Sequence, residues 1–173
     1  MVFMGDSITD MWALPQCGGF FRGKPYVDRG IGGQTTSQMV LRFRSDVIAL
    51  QPQVVVILAG TNDIAGNTGP MTLEETQGNL ATMAELSRAQ GIRVVLSSVM
   101  PVRDITNTEG KPIAQTEHRP PQNVLVLNKW IKKYAAAHGH VYLDYFSSTV
   151  DEKGSSKVPS PTMGCIRMRR DMR

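Results

Sequence analysis

The run Val54-Val55-Val56-Ile57-Leu58-Ala59 constrains the fold more than any other stretch of the chain. Six apolar residues without a polar interruption are of strand length, and a strand that is apolar on both sides must be covered on both sides, as in a parallel sheet. Similar short runs recur at Ile92 to Ser98 and at Val141 to Asp144, with weaker ones at Met1 to Met4 and Tyr26 to Asp28. Between them lie segments of helical period, about Thr35 to Leu50, Leu73 to Gln90 and Gln122 to Ala137. The middle segment places Leu73, Thr76, Leu80, Met83 and Leu86 on one face, and Gly91 and Gly139 follow the last two segments as helix stops. Strand and helix therefore alternate. Crossovers between parallel strands are right-handed almost without exception, so this order predicts an α/β fold: a doubly wound, five-stranded parallel sheet with helices on both faces, three layers in all. A length of 173 residues suits one such domain, and 41% hydrophobic with 20% charged residues is a globular balance rather than a disordered one.

In sheets of this kind ligands bind beyond the carboxyl ends of the strands, near the switch in strand order. Three motifs pass that filter. Gly5-Asp6-Ser7 follows the first strand, Arg29-Gly30-Ile31-Gly32-Gly33 the second, and Gly60-Thr61-Asn62-Asp63 the third. Singly, each has an ordinary structural explanation, since a serine after a Gly-Asp turn caps a helix and an Asn in such a setting belongs to a turn. Together they bring a hydroxyl, glycine amides and a carboxamide donor to successive strand ends, the parts of a nucleophile beside an oxyanion hole. Phosphate binding by the glycine-rich turn ranks lower, because the spacing fits neither GxGxxG nor a P-loop. Asp10 and Asp63 read as helix-capping or first-turn residues and are left out of the site.

These blocks resemble those of the SGNH hydrolases, the GDSL-type esterases and lipases. Val2 to Asp10 is similar to the first block of that family, Arg29 to Thr35 to its second and Gly60 to Asp63 to its third, and the resemblance runs from Met1 to about Gly154. It implies a flavodoxin-like fold and ester hydrolysis without a cofactor or metal. It also implies Ser7 as nucleophile, with the oxyanion held by the Ser7 amide, the Gly33 amide and the Asn62 side chain. Short acyl or acetyl esters of carbohydrates or small alcohols are the substrates it suggests, with selectivity in the segments Asp10 to Lys24 and Pro101 to Pro121. Trp12, Phe20 and Phe21 lie in the first of these, where core packing is the expected use of the phenylalanines.

The family's C-terminal Asp-x-x-His block, which supplies the base, is not in this sequence. Of the three histidines, His138 and His140 flank the entry to the last strand and so belong to the amino edge of the sheet, and an HxH without a further ligand is a weak metal motif. His118 sits in the Pro101 to Pro121 segment, on the correct edge, and is the one candidate to replace the missing base. After Lys153 the apolar pattern ends, which divides the chain into a hydrolase domain, 1–153, and an aberrant tail, 154–173. Shifting the reading frame over Pro159 to Arg173 allows the string LTDDGLHPNAAGYA, which contains the missing block, so the tail is expected to be a frameshifted translation. Loss of the final helix would then uncover apolar sheet surface and favour a homodimer.

The formal net charge of +4 raises the question of a nucleic-acid partner. Residues 154–173 carry Lys157, Arg167, Arg169, Arg170 and Arg173 against Asp171, five minus one, so the tail holds the whole excess and the domain is neutral. Neither a nucleic acid nor a membrane span is expected. Cys17 and Cys165 form no CxxC pair and are too few for a disulfide framework. No export signal is visible, yet Met1 leads straight into strand-like sequence as though a longer N-terminus had been lost, so localisation stays open. Two readings of function follow. One is a serine esterase acting on a small-molecule ester, impaired if no residue replaces the base; the other is a catalytically silent acyl- or carbohydrate-binding domain of the same fold.

Overall fold

The computed structural model describes residues 1–17, 19–106 and 109–150. The 154–173 tail, and with it the frameshift reading, lies outside the described residues. In chain order the elements are β1 (Val2–Gly5), α1 (Ser7–Met11), β2 (Val27–Gly30), α2 (Thr36–Asp46), β3 (Val54–Leu58), α3 (Thr61–Ile64) and α4 (Leu73–Ala89). There follow β4 (Arg93–Ser97), β5 (Ile105–Thr106), β6 (Pro112–Ile113), α5 (Gln115–His118), α6 (Pro121–His138), β7 (Val141–Leu143) and α7 (Tyr145–Thr149). The five strands expected from the apolar runs make one parallel sheet in the order β2-β1-β3-β4-β7. The chain leaves β1 to one side for β2 and returns to the other side for β3, so the switch in strand order lies between β1 and β3.

Alternation along the strands decides what each face packs against. Val2, Met4, Val55, Ile57, Val94 and Leu96 turn to one face, where they are buried against Met39 and Phe43 of α2, Leu80 and Met83 of α4, and Val124, Leu127 and Ile131 of α6. Phe3, Val56 and Leu58 turn to the other, where they meet Trp12, Met100 and Tyr145. That second layer is thinner, built from α1, α7 and an aromatic cluster. The Phe3 ring stands edge-on to Phe20 and Phe21 at centroid distances of 5.3 and 5.4 Å, which confirms the phenylalanines as packing residues.

One element departs from the sequence reading. The helix expected over Thr35 to Leu50 stops at Asp46, and the chain tightens into a 3-10 turn at Ile48–Leu50 before Gln51 takes a left-handed φ of 47°. Beyond β4, β5 pairs antiparallel with β6, and Asp104 reaches across to α5, accepting from the Thr116 amide at 2.9 Å and its hydroxyl at 2.8 Å. Those bonds hold the Asp104 carboxyl below its ordinary pKa. Among the described residues no helix is long and apolar enough to cross a membrane.

One side chain ties the carboxyl end of β4 to α6. Asn128 is buried, accepts from the Val99 amide at 2.7 Å and donates to the Val99 carbonyl at 2.9 Å. Asn128→Ala strands both backbone groups, and a loss of roughly 1–3 kcal/mol for each is expected in urea unfolding. The glycines give a second, paired test. A Cβ on Gly30 would lie 2.2 Å from the Asp10 nitrogen and 2.8 Å from the Asp6 carbonyl, both rigid backbone, whereas Gly91 has nothing within 4 Å but sits at φ +70°. Gly30→Ala should therefore cost more in unfolding free energy than Gly91→Ala, whose penalty is the ~1–2 kcal/mol of a left-handed alanine. Equal losses would mean that the packing of β2 on α1 gives way more easily than these distances imply.

Candidate active site

The carboxyl end of β1 turns into α1 within two residues. A side chain at Gly5 would strike the Thr9 hydroxyl at 2.1 Å and the Leu58 carbonyl at 2.9 Å, so only glycine permits the turn. Asp6 is the N-cap: its Oδ1 accepts from the Ile8 amide at 2.9 Å. Ser7 is the first residue of α1, and a first-turn amide has no partner within its helix. Ile31 donates to the Gly5 carbonyl at 3.1 Å, which draws the glycine turn after β2 alongside. A Cβ on Gly32 would lie 3.8 Å from that of Ser7, and Gly33 follows at φ +78° with its carbonyl accepting from Asn67 Nδ2 at 3.0 Å. From the other flank, β3 runs through Gly60 at φ +119° into α3, which carries Asn62; its Nδ2 donates to the Gln34 carbonyl at 3.0 Å. The three residues singled out from sequence, Ser7, Gly33 and Asn62, thus occupy neighbouring strand ends at the topological switch.

Asp63 has a structural task, though on a helix other than its own. Buried at the start of α3, it accepts from the amide of Thr36, the first residue of α2, at 2.9 and 3.1 Å and from the Thr36 hydroxyl. Burial raises its pKa and the Thr36 bonds pull it back down. Asp6 is more exposed to the same conflict. Its pKa is pushed up to about 6, chiefly by burial and further by the charge of Asp63, while the Ile8 amide and the charge of Arg119 oppose the rise. Its second oxygen is buried without a hydrogen-bond partner among the described residues.

Arg119 gave no signal in the sequence. It stands one residue beyond α5, half-buried, with Nη2 3.4 Å from Asn62 Oδ1. Its neighbour His118, the candidate base on this edge, is exposed. His138 and His140 lie at the opposite edge of the sheet, where His138 Nδ1 is 2.9 Å from the Tyr134 carbonyl. Among the described residues no group of three or more His, Cys, Asp or Glu side chains is placed to hold a metal ion.

The sequence profile of the GDSL-like lipase/acylhydrolase family matches residues 3–160. A GDSL-like lipase from Bacteroides thetaiotaomicron VPI-5482 is 41% identical, with a TM-score of 0.77 over 89% of this chain and 72% of that one. An acylhydrolase candidate from Bacteroides fragilis NCTC 9343 is 40% identical, with a TM-score of 0.79 over 92% of this chain and 73% of that one. The uncharacterised lipoprotein YqeF of Bacillus subtilis strain 168 is 37% identical over 79 residues, 44% of this chain, and the match spans about a third, 32%, of that protein's length. With its three sequence blocks gathered at the carboxyl edge of a doubly wound sheet, the chain belongs to the GDSL-like lipase/acylhydrolase family.

Proposed function

We propose that this chain is a carboxylic ester hydrolase in which Ser7 is the nucleophile. One observation carries the reading: β1 is hydrogen-bonded on one side to β2 and on the other to β3, so the ends that bear Ser7, Gly33 and Asn62 are adjacent. In this reading Ser7 Oγ attacks the ester carbonyl carbon, and the electron pair of the C=O bond moves to oxygen. The amides of Ser7 and Gly33 and the Asn62 carboxamide donate to the resulting oxyanion. Collapse of the intermediate expels the alcohol and leaves an acyl-enzyme, which water then hydrolyses.

The substrate we favour is a short acyl ester, such as an acetyl ester, of a carbohydrate or small alcohol. Beside Gly33 lies an open groove of about 430 Å³ whose side chains include Gln34, Gln38, Asn67 and Thr68, amides and a hydroxyl that suit a neutral, hydroxyl-bearing alcohol. A base must take the Ser7 proton. We place it in the Asp-x-x-His block that the resemblance implies, and we read 154–173 as the frameshifted form of that block, which sequencing the encoding DNA checks directly.

Hydrolysis of p-nitrophenyl acetate tests this. Ser7→Ala should fall to the buffer rate, Asn62→Ala should lose about 10²–10³ in turnover, and a chain carrying LTDDGLHPNAAGYA in place of the corresponding tail residues should gain several orders of magnitude. Equal rates for the chain, the restored chain and their Ser7→Ala forms would favour a silent binding domain instead. A second prediction concerns pH. Asp6 in the folded state keeps its proton to about pH 6, whereas an ordinary aspartate releases it near 3.8, so the folded state binds more protons between these values and stability falls as pH rises through them. Asp6→Asn retains an oxygen for the Ile8 amide and should flatten that decline in urea midpoints measured from pH 4 to pH 7. Parallel profiles for the two proteins would contradict the assignment.

A further inference from the structure

We infer that Arg119 is a positioning residue for the oxyanion hole, delivered by the structured segment after β4 so that its guanidinium fixes the Asn62 carboxamide and offsets the Asp6 carboxylate. The inference rests on the reading of Asn62 as an oxyanion donor and adds a residue that reading does not require.

The delivery is built rather than incidental. Asp104 clamps Thr116 through two hydrogen bonds, the Arg119 amide donates to the Gln115 carbonyl at 2.9 Å, and Pro120 and Pro121 follow at once to start α6. The backbone on either side of Arg119 is therefore held, and its half-buried side chain points toward the site. Nη2 lies 3.4 Å from Asn62 Oδ1, while Nδ2 of the same carboxamide donates one hydrogen to the Gln34 carbonyl. An amide group has one acceptor oxygen and two donor hydrogens. With the oxygen turned to a cation and one hydrogen on Gln34, the second hydrogen is left for an oxyanion. A flipped carboxamide would present its oxygen lone pairs to the developing negative charge and its NH₂ to the guanidinium, and both contacts are repulsive.

The same cation answers an electrostatic problem. Asp6 immediately precedes the nucleophile, is buried, and has an oxygen with no hydrogen-bond partner among the described residues. Two charged groups face it: Asp63 from α3, which discourages its ionisation, and Arg119 from beyond α5, which favours it. The coupling is mutual, since burial lowers the Arg119 pKa and the charge of Asp6 raises it again. An uncompensated carboxylate beside a forming oxyanion would raise the energy of the intermediate, and the charge of Arg119, whose guanidinium contacts Asn62, opposes that of Asp6.

Arg119→Gln and Arg119→Lys in the full chain test the inference by two readouts. In carbon-13 NMR titrations of the aspartate carboxyls, Arg119→Gln should move the Asp6 titration to higher pH, because a charge that lowers it is gone, and Arg119→Lys should restore most of the difference. This arm needs no turnover. In p-nitrophenyl acetate hydrolysis Arg119→Gln should lower kcat roughly tenfold, less than the 10²–10³ of a deleted donor, with KM little changed. In an Asn62→Ala background the same substitution should cost clearly less, because only the part that acts through the Asp6 charge remains. An unmoved Asp6 titration, or an Arg119→Gln effect that persists in full without Asn62, overturns the inference. An Asn62→Ala protein that hydrolyses at the parent rate sinks the oxyanion reading itself, whereas a slow Asn62→Ala beside a fully active Arg119→Gln sinks only the role of Arg119.

Discussion

The buried carboxylate of Asp63 is the contact on which the geometry of the site depends. It sits at the start of α3 and takes both the amide and the hydroxyl of Thr36 at the start of α2. The glycine turn lies between β2 and α2, and Asn62 directly precedes Asp63, so this one contact sets the distance between the Gly33 backbone and the Asn62 side chain. A buried carboxylate is costly unless its oxygens are satisfied, and here first-turn helix amides, which lack partners of their own, are the compensation. Asn79 adds a further bond to the Thr36 hydroxyl at 3.0 Å, tying α4 to the same point. Arg42 plays a parallel part on the far side of the turn, donating to the Gly5 carbonyl at 3.2 Å and to Gln34 Oε1 at 2.6 Å.

The site that we propose stabilises an oxyanion carries two buried carboxylates beside it, which looks self-defeating. The arrangement is coherent because the two are treated differently. Asp63 is consumed by Thr36 and faces the scaffold. Asp6 spends one oxygen on capping α1, and burial keeps a proton on it to a pH well above the ordinary aspartate range. Near neutral pH it is mostly ionised, and its charge is opposed by that of Arg119. The acid in the motif is a structural cap whose electrostatic cost the surroundings contain.

Much of the sheet was legible because buried parallel strands need runs of apolar residues, and Val54–Leu58 could hardly be anything else. The long helices were legible through their period and their glycine stops. What went unread had non-local causes. The order in Pro101 to Pro121 comes from a clamp between Asp104 and Thr116, twelve positions apart. His118 drew attention because histidine is the expected base, yet it is exposed and the adjacent Arg119 is the residue that reaches Asn62. Helical turns of so few residues leave no periodic trace, so which of two neighbours faces inward could not be read from their identities.

From sequence alone come the class of the fold, the carboxyl edge as the place of chemistry, and Ser7, Gly33 and Asn62 as its candidate groups. The first two rest on apolar periodicity and strand order, and the three residues on donor types at strand ends together with the resemblance of their blocks to those of a known family. The unequal helical layers, the capture of Thr36 by Asp63, the raised pKa of Asp6 and the approach of Arg119 to Asn62 were set by folding. Each joins residues 27 or more positions apart or depends on burial, and neither a distance across the fold nor a local dielectric is written in the order of the residues.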